Sequence, residues 1–256
     1  MASIVDAFNE ALSEDKFLIK IVLYSIPVYY MIKMFIIGKM AEFVLYASIV
    51  AILFLALLTL GVNNVRLNRK EILSLNPVQL IRAFLKSLVV LVPHLIVYGV
   101  LGFYIVKHVQ VPIDLPHVPL IFSIIVWSII FSIVFTSYLS FAKYLKVVQG
   151  FNYALILESC IDVLVSFLFF IPQLLFANIV LIGPVAYLYF FFHLPFEHWG
   201  FIAYCSMVIV VNVSILANYM AQAAYEQIKG NNEDYDDNYN KPIELIEEAA
   251  ERLNGK

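Results

Sequence analysis

Charge is scarce in this chain: 14% of its 256 residues are Asp, Glu, Lys or Arg, against 62% hydrophobic and 15% aromatic. Mean hydropathy is +0.89. Water-soluble domains carry about 25% charged and roughly 45–50% apolar residues. A soluble domain of this length has too few polar residues here to cover its surface. That excludes an ordinary soluble enzyme and a disordered regulator. Cysteine is scarcer still: Cys160 and Cys205 offer neither a disulfide framework nor the CxxC spacing of a metal ribbon. On the topology below they lie near opposite membrane faces, beyond the ~7 Å Cα separation a disulfide tolerates, and read as small apolar fillers. There is no P-loop, GxSxG or GxGxxG motif, hence no recognisable nucleotide-binding device. Nor is there a basic patch for nucleic acid. Residues 222–256 hold nine acids and four bases, and the rest of the chain carries a net charge of only +2.

What the chain has is long apolar runs. About 20 such residues cross a bilayer as a helix. Phe43 to Gly61, Ser87 to Val106, Val118 to Phe141 and Trp199 to Ala221 qualify, as does Phe17 to Ile37, whose Lys20 and Lys33 lie near its ends and can snorkel to the headgroups. Ile161 to Phe192 is too long for one untilted span. Gly183-Pro184 is expected to divide it, leaving a span near Val163 to Ile182 and an interfacial aromatic piece, Tyr187 to Phe192. The expected fold is therefore all-α: a polytopic membrane protein with six transmembrane helices. Both termini then share one side, and that side holds thirteen of the sixteen Lys and Arg residues. The positive-inside bias assigns it to the cytoplasm of a cell membrane. The N-terminus lacks a basic n-region, so the first span is expected to remain in the mature chain. The organisation reads as a cytoplasmic amphipathic helix over 1–16, a transmembrane domain over 17–221 and an acidic tail over 222–256.

The odd-numbered spans share a pattern. Each follows an amphipathic approach stretch and carries a proline about ten residues into its apolar run: Pro27, Pro93 and Pro172. This gives three units of approach helix, proline span and plain span. Each proline frees a backbone carbonyl inside the membrane, so each is a candidate kink or hinge. Ser3 to Asp6 reads as a capping box, and Asn76-Pro77 as a cap followed by a first-turn proline. The first approach stretch, with Ile4, Val5, Phe8, Ala11 and Leu12 at helical spacing, is expected either to lie in the membrane plane or to dock on the other spans.

Ala7 to Leu12 running into Phe17 to Lys20, Asn76 to Lys86 running into Ser87 to Pro93, and Val148 to Leu155 resemble uncharacterised prokaryotic six-helix integral membrane proteins grouped as a domain of unknown function. In style the chain is also similar to the membrane domain of some glycerophosphodiester phosphodiesterases. The resemblance spans roughly residues 5 to 221. It implies a bacterial inner-membrane or archaeal multi-pass protein and carries no catalytic residue and no cofactor.

Few polar residues could carry chemistry. His94, Gln173 and Asn178 lie within spans and are candidates for lining a cavity, with Lys20, Asn212 and Asn218 as further buried polar groups. His108, His117, His193 and His198 fall on the extracytoplasmic side and could converge on a divalent metal, though their spacing matches no zinc motif. Three functions follow: a non-enzymatic protein of assembly, envelope organisation or partner binding; a small-solute transporter with a polar mid-membrane cavity; or an extracytoplasmic metal-dependent enzyme. In the tail, residues 230–241 form a polar acidic linker, and Pro242 to Leu253 reads as a short helix that could dock on the basic Val62 to Lys86 loop or on a protein partner. The other partner is the lipid bilayer.

Overall fold

The computed structural model describes residues 4–14, 16–67, 72–108, 118–195 and 197–228. Among these, every regular element is helical: α1 (Ile4–Leu12), α2 (Phe17–Ile36), α3 (Met40–Arg66), α4 (Pro77–His108), α5 (Val118–Tyr144), α6 (Tyr153–Phe191) and α7 (Trp199–Gln227), with a 3₁₀ turn at Val147–Phe151. The six helices α2 to α7 are each long and apolar enough to cross a membrane. The chain is a multi-pass helical membrane protein. His117, tail residues 229–256 and the Ser3 capping position lie outside the described residues, while tail residues 222–227 continue α7.

Helix boundaries follow local chemistry. Asn76 Oδ1 accepts from Val78 N and Gln79 N at 3.1 and 3.3 Å, and Asn152 Oδ1 accepts from Leu155 N at 3.4 Å, capping α4 and α6. α2 ends with Gly38 in the left-handed region, φ 73°. Lys39 N there reaches back to Met34 O, and Gly38 N to Phe35 O, the paired bonds of a Schellman motif. The approach stretches of the second and third units are continuous with their spans. Only the first is separate, broken by Lys16 at φ 58°.

Two expectations are corrected. Gly183-Pro184 does not divide the fifth apolar run: α6 continues through it as one 39-residue helix, about 58 Å at 1.5 Å per residue against a hydrocarbon core of about 30 Å. Pro184 removes only one backbone bond, and beside it the Tyr204 hydroxyl donates to Leu181 O at 2.7 Å. Lys20 does not snorkel either. It turns inward to a carboxylate, as described below.

The inner helices α3, α5 and α7 touch one another, and each proline helix fills a groove between two of them: α2 between α7 and α3, α4 between α3 and α5, α6 between α5 and α7. The three-unit repeat has thus become an approximate threefold arrangement, its axis along the bundle. Such parallel repeats recur in membrane transport folds. Phe17, Ile21, Tyr24 and Val28 in α2 and Ala83, Ser87, Val90 and His94 in α4 are buried at the same 66-residue offset that separates Pro27 from Pro93. In α6 the buried Ser159, Val163 and Phe170 follow their α4 counterparts by 76 residues, so Pro172 falls about one turn further along. The connecting segments repeat as well. α1 lies on α7 and α6, and the 3₁₀ turn lies on α5 and α4. Residues 72–74 lie on α3 and α2, held by Tyr24, whose hydroxyl donates to Ser74 O.

These segments define one side of the bundle, here the α1 side. Packing is concentrated there. In α5 every residue from Thr136 to Lys143 is buried. In α2 no described residue beyond Val28 is buried, and in α6 none beyond Phe170. The cause lies in side-chain size. Apolar side chains gain nothing by leaving lipid for each other, so membrane helices associate through small residues and hydrogen bonds. Gly61 shows how close the approach is: a Cβ there would meet Ala217 Cβ at 2.8 Å.

Candidate functional site

Left-handed Lys16 turns the chain so that Glu14 faces the start of α2. There Lys20 Nζ donates to Glu14 Oε1 at 2.6 Å, with both side chains at least 95% buried. The same oxygen accepts from Leu73 N at 2.8 Å. One carboxylate therefore fastens three segments: the α1–α2 joint, α2 and the α3–α4 connection. Burial pushes the Glu14 carboxyl above its ordinary range, and the Lys20 ammonium and Leu73 N–H pull it part of the way back. On α7, Asn218 donates to Glu10, tying α1 down. α1 thus docks on the spans, burying Ala7 and Ala11 and leaving Val5 and Leu12 exposed.

A second knot joins α3, α4 and α5. Thr59 Oγ1 lies 2.8 Å from both Ser87 Oγ and the Tyr138 hydroxyl. One turn further toward the α1 side, Asn63 Nδ2 donates to Lys143 O at 2.9 Å, and Lys143 Nζ donates to Ile228 O at 3.3 Å. The ammonium also sits 5.1 and 5.5 Å from the ring centroids of Tyr144 and Tyr225.

His94 belongs to a third knot. Its Nδ1 meets Val90 O at 2.8 Å and its Nε2 meets Ser137 Oγ at 3.1 Å, while Ser137 donates to Gly150 O. Phe151 lies 4.8 Å from the imidazole, ring to ring. A hydroxyl beside an oriented imidazole is the skeleton of a nucleophile and its base. Here, however, both side chains are at least 99% buried, and Ser137 directs its hydrogen to the Gly150 carbonyl. The arrangement fastens the 3₁₀ turn to α4 and α5.

The other expected site residues are dispersed. Gln173 is exposed on α6. Asn178 pairs with Asn212 across α6 and α7 through side-chain hydrogen bonds of 2.6 and 3.3 Å, so His94 and Asn178 serve different helix pairs. His108 turns back on α4, with Nδ1 3.1 Å from Tyr104 O. His193 sits at φ 52° just past α6, where Leu194 N reaches Tyr189 O and His193 N reaches Phe190 O. It ends α6 with the same motif that Gly38 gives α2. His198 caps α7, accepting from Gly200 N at 3.2 Å. Two of the four outer histidines are thus helix punctuation. Among the described residues no three His, Cys, Asp or Glu side chains are grouped to hold a metal.

Thr59, Ser87, Ser137, Tyr138 and Glu14 were not singled out in the sequence. A signal for most of them was there. Small and hydroxyl residues crowd the α1-side half of each inner helix: Thr59, Gly61 and Asn63 in α3, Ser132 to Ser140 in α5, Ser214 to Ala224 in α7.

Below the point where the inner helices part lies an apolar well of about 430 Å³, within the range of small-ligand sites. α3 contributes Leu55 and Leu58, α4 contributes Leu91, Leu95 and Gly99, α5 contributes Trp127 to Tyr138, and Phe167, Leu216 and Met220 complete it. Apolar cavities do not hold ordered water. A second apolar cleft of about 470 Å³ separates α5 from α6 and shares Trp127, Phe131 and Phe167 with the well. No protein-family model matches the chain, and comparison with curated proteins and with solved structures gave no match.

Proposed function

We propose that this chain is a non-enzymatic protein of a prokaryotic cell membrane, with both termini cytoplasmic, acting in assembly, envelope organisation or partner binding. The family of uncharacterised six-helix proteins that its sequence resembles is part of the same reading. One observation carries it. Among the described residues on the α1 side, the buried ionisable groups Glu14, Lys20, His94 and Lys143 are all spent on fastening connecting segments and helix ends to helices. Such a side is a fixed platform, and the acidic sequence that follows Ile228 is the segment assigned to engage a protein partner. The transporter reading needs polar groups facing a mid-membrane cavity, whereas the well is lined by apolar side chains and His94 lies outside its lining. Hydrogen exchange in lipid nanodiscs tests the platform. Amides of residues 136–143 and 213–224 are expected to stay protected for hours. Exchange of both segments within seconds, the mark of a core that opens to water, would favour alternating access instead.

A further inference from the structure

The well at the centre of the bundle has a floor and a mouth. Its floor is closed: Met220 and Tyr138 expose 2% and 4% of their surface. The Tyr138 hydroxyl is engaged with Thr59, so the floor offers a ligand no free polar group there. The mouth is open, with Leu95 and Trp127 exposing 58% and 42%. From Gly99 to the end of α4 at His108, and from Trp127 back to the start of α5 at Val118, is nine residues each, or about 13 Å of helix. That depth is near the middle of a hydrocarbon core of about 30 Å. What meets the mouth is therefore lipid and not water. A partner helix does not fit: at 10–12 Å across it would fill this volume within about one turn. A linear hydrocarbon does. We propose that the well is a binding site for one acyl chain of a membrane phospholipid, which enters beside Leu95 of α4 and Trp127 of α5 and ends against Met220 and Tyr138.

Gly99 allows a direct test, because a Cβ built there meets no atom within 4 Å. A larger side chain built from this lining position starts in open space, with no neighbour for its Cβ to displace. The protein is reconstituted in phosphatidylcholine nanodiscs containing a phospholipid with a diazirine near the end of one chain, irradiated, and mapped by peptide mass spectrometry. Adducts are expected on Met220 and Leu58 as well as on lipid-facing residues such as Val97 and Ile124. Gly99→Phe should cut the Met220 and Leu58 adducts at least tenfold and leave those on Val97 and Ile124 unchanged, which also reports that the variant is folded. A wild-type pattern confined to lipid-facing residues overturns the proposal, whatever the variant does. So does labelling of Met220 by a free diazirine fatty acid but not by the phospholipid, since the occupant would then not be a bilayer lipid.

Discussion

On the α1 side the inner helices meet through Thr59, Gly61, Ser137, Ala217 and Asn218; toward the opposite side the same three helices present mostly Val, Ile, Leu and Phe, many of them exposed in α3 and α5 while α7 stays largely covered. In water the second composition would pack more tightly than the first. In a bilayer the order reverses, because lipid tails solvate leucine as well as another leucine does. Hydrophobicity decides that these helices enter the membrane. Small and hydrogen-bonding residues decide where along their length they touch.

The largest break in this comparison is expected at the buried ion pair. Lys20→Met leaves the Glu14 carboxylate buried without its counter-charge and should cost about 3–5 kcal/mol at neutral pH, read as unfolding free energy in bicelles. The Glu14→Gln/Lys20→Met double variant should recover most of that loss. The pH dependence has a definite sign. Burial raises the Glu14 carboxyl, so its contribution to stability is fully present below the ordinary carboxylate pKa and is lost as pH rises through the raised one. The Lys20→Met deficit should therefore shrink as pH falls through that window, and the double variant should be flat across it. A smaller contrast is expected between hydrogen bonds in the two halves. Thr59→Val, which removes the hub shared by Ser87 and Tyr138, should cost about 1–2 kcal/mol, and Asn212→Val, which removes the amide pair with Asn178, about 0.6 kcal/mol or less. Equal costs would mean that polar contacts hold both halves alike.

The spans and the repeat were legible because their signals are long and redundant: twenty apolar residues, or a proline recurring ten residues into an apolar run. The threefold placement of proline helices outside plain ones was not, since nothing within a single span says which neighbours it meets. Gly183-Pro184 misled because proline ends helices in water, where a freed carbonyl is readily solvated, while a helix in lipid has no better alternative than to continue. Lys20 misled for a different reason. Its distance from the end of the span allows snorkelling, but the αL turn at Lys16 that delivers Glu14 beside it has no sequence signature. His193 and His198 drew notice as possible ligands, yet their roles at the α6 and α7 ends are backbone roles, which residue type alone does not reveal.

A matched pair of phenylalanines tests the difference between the halves most directly. Phe141 is fully buried on the α1 side of α5, and Phe176 is 68% exposed on the outer part of α6. Truncation to alanine removes the same atoms from each; in lipid the transfer contribution is nearly absent from the first, and the second already faces lipid over most of its surface, so the difference reports packing. Unfolding free energies measured in the same bicelles should fall by on the order of 2 kcal/mol or more for Phe141→Ala and change by less than about 0.5 kcal/mol for Phe176→Ala. Equal losses at the two positions would contradict a bundle held together from one side.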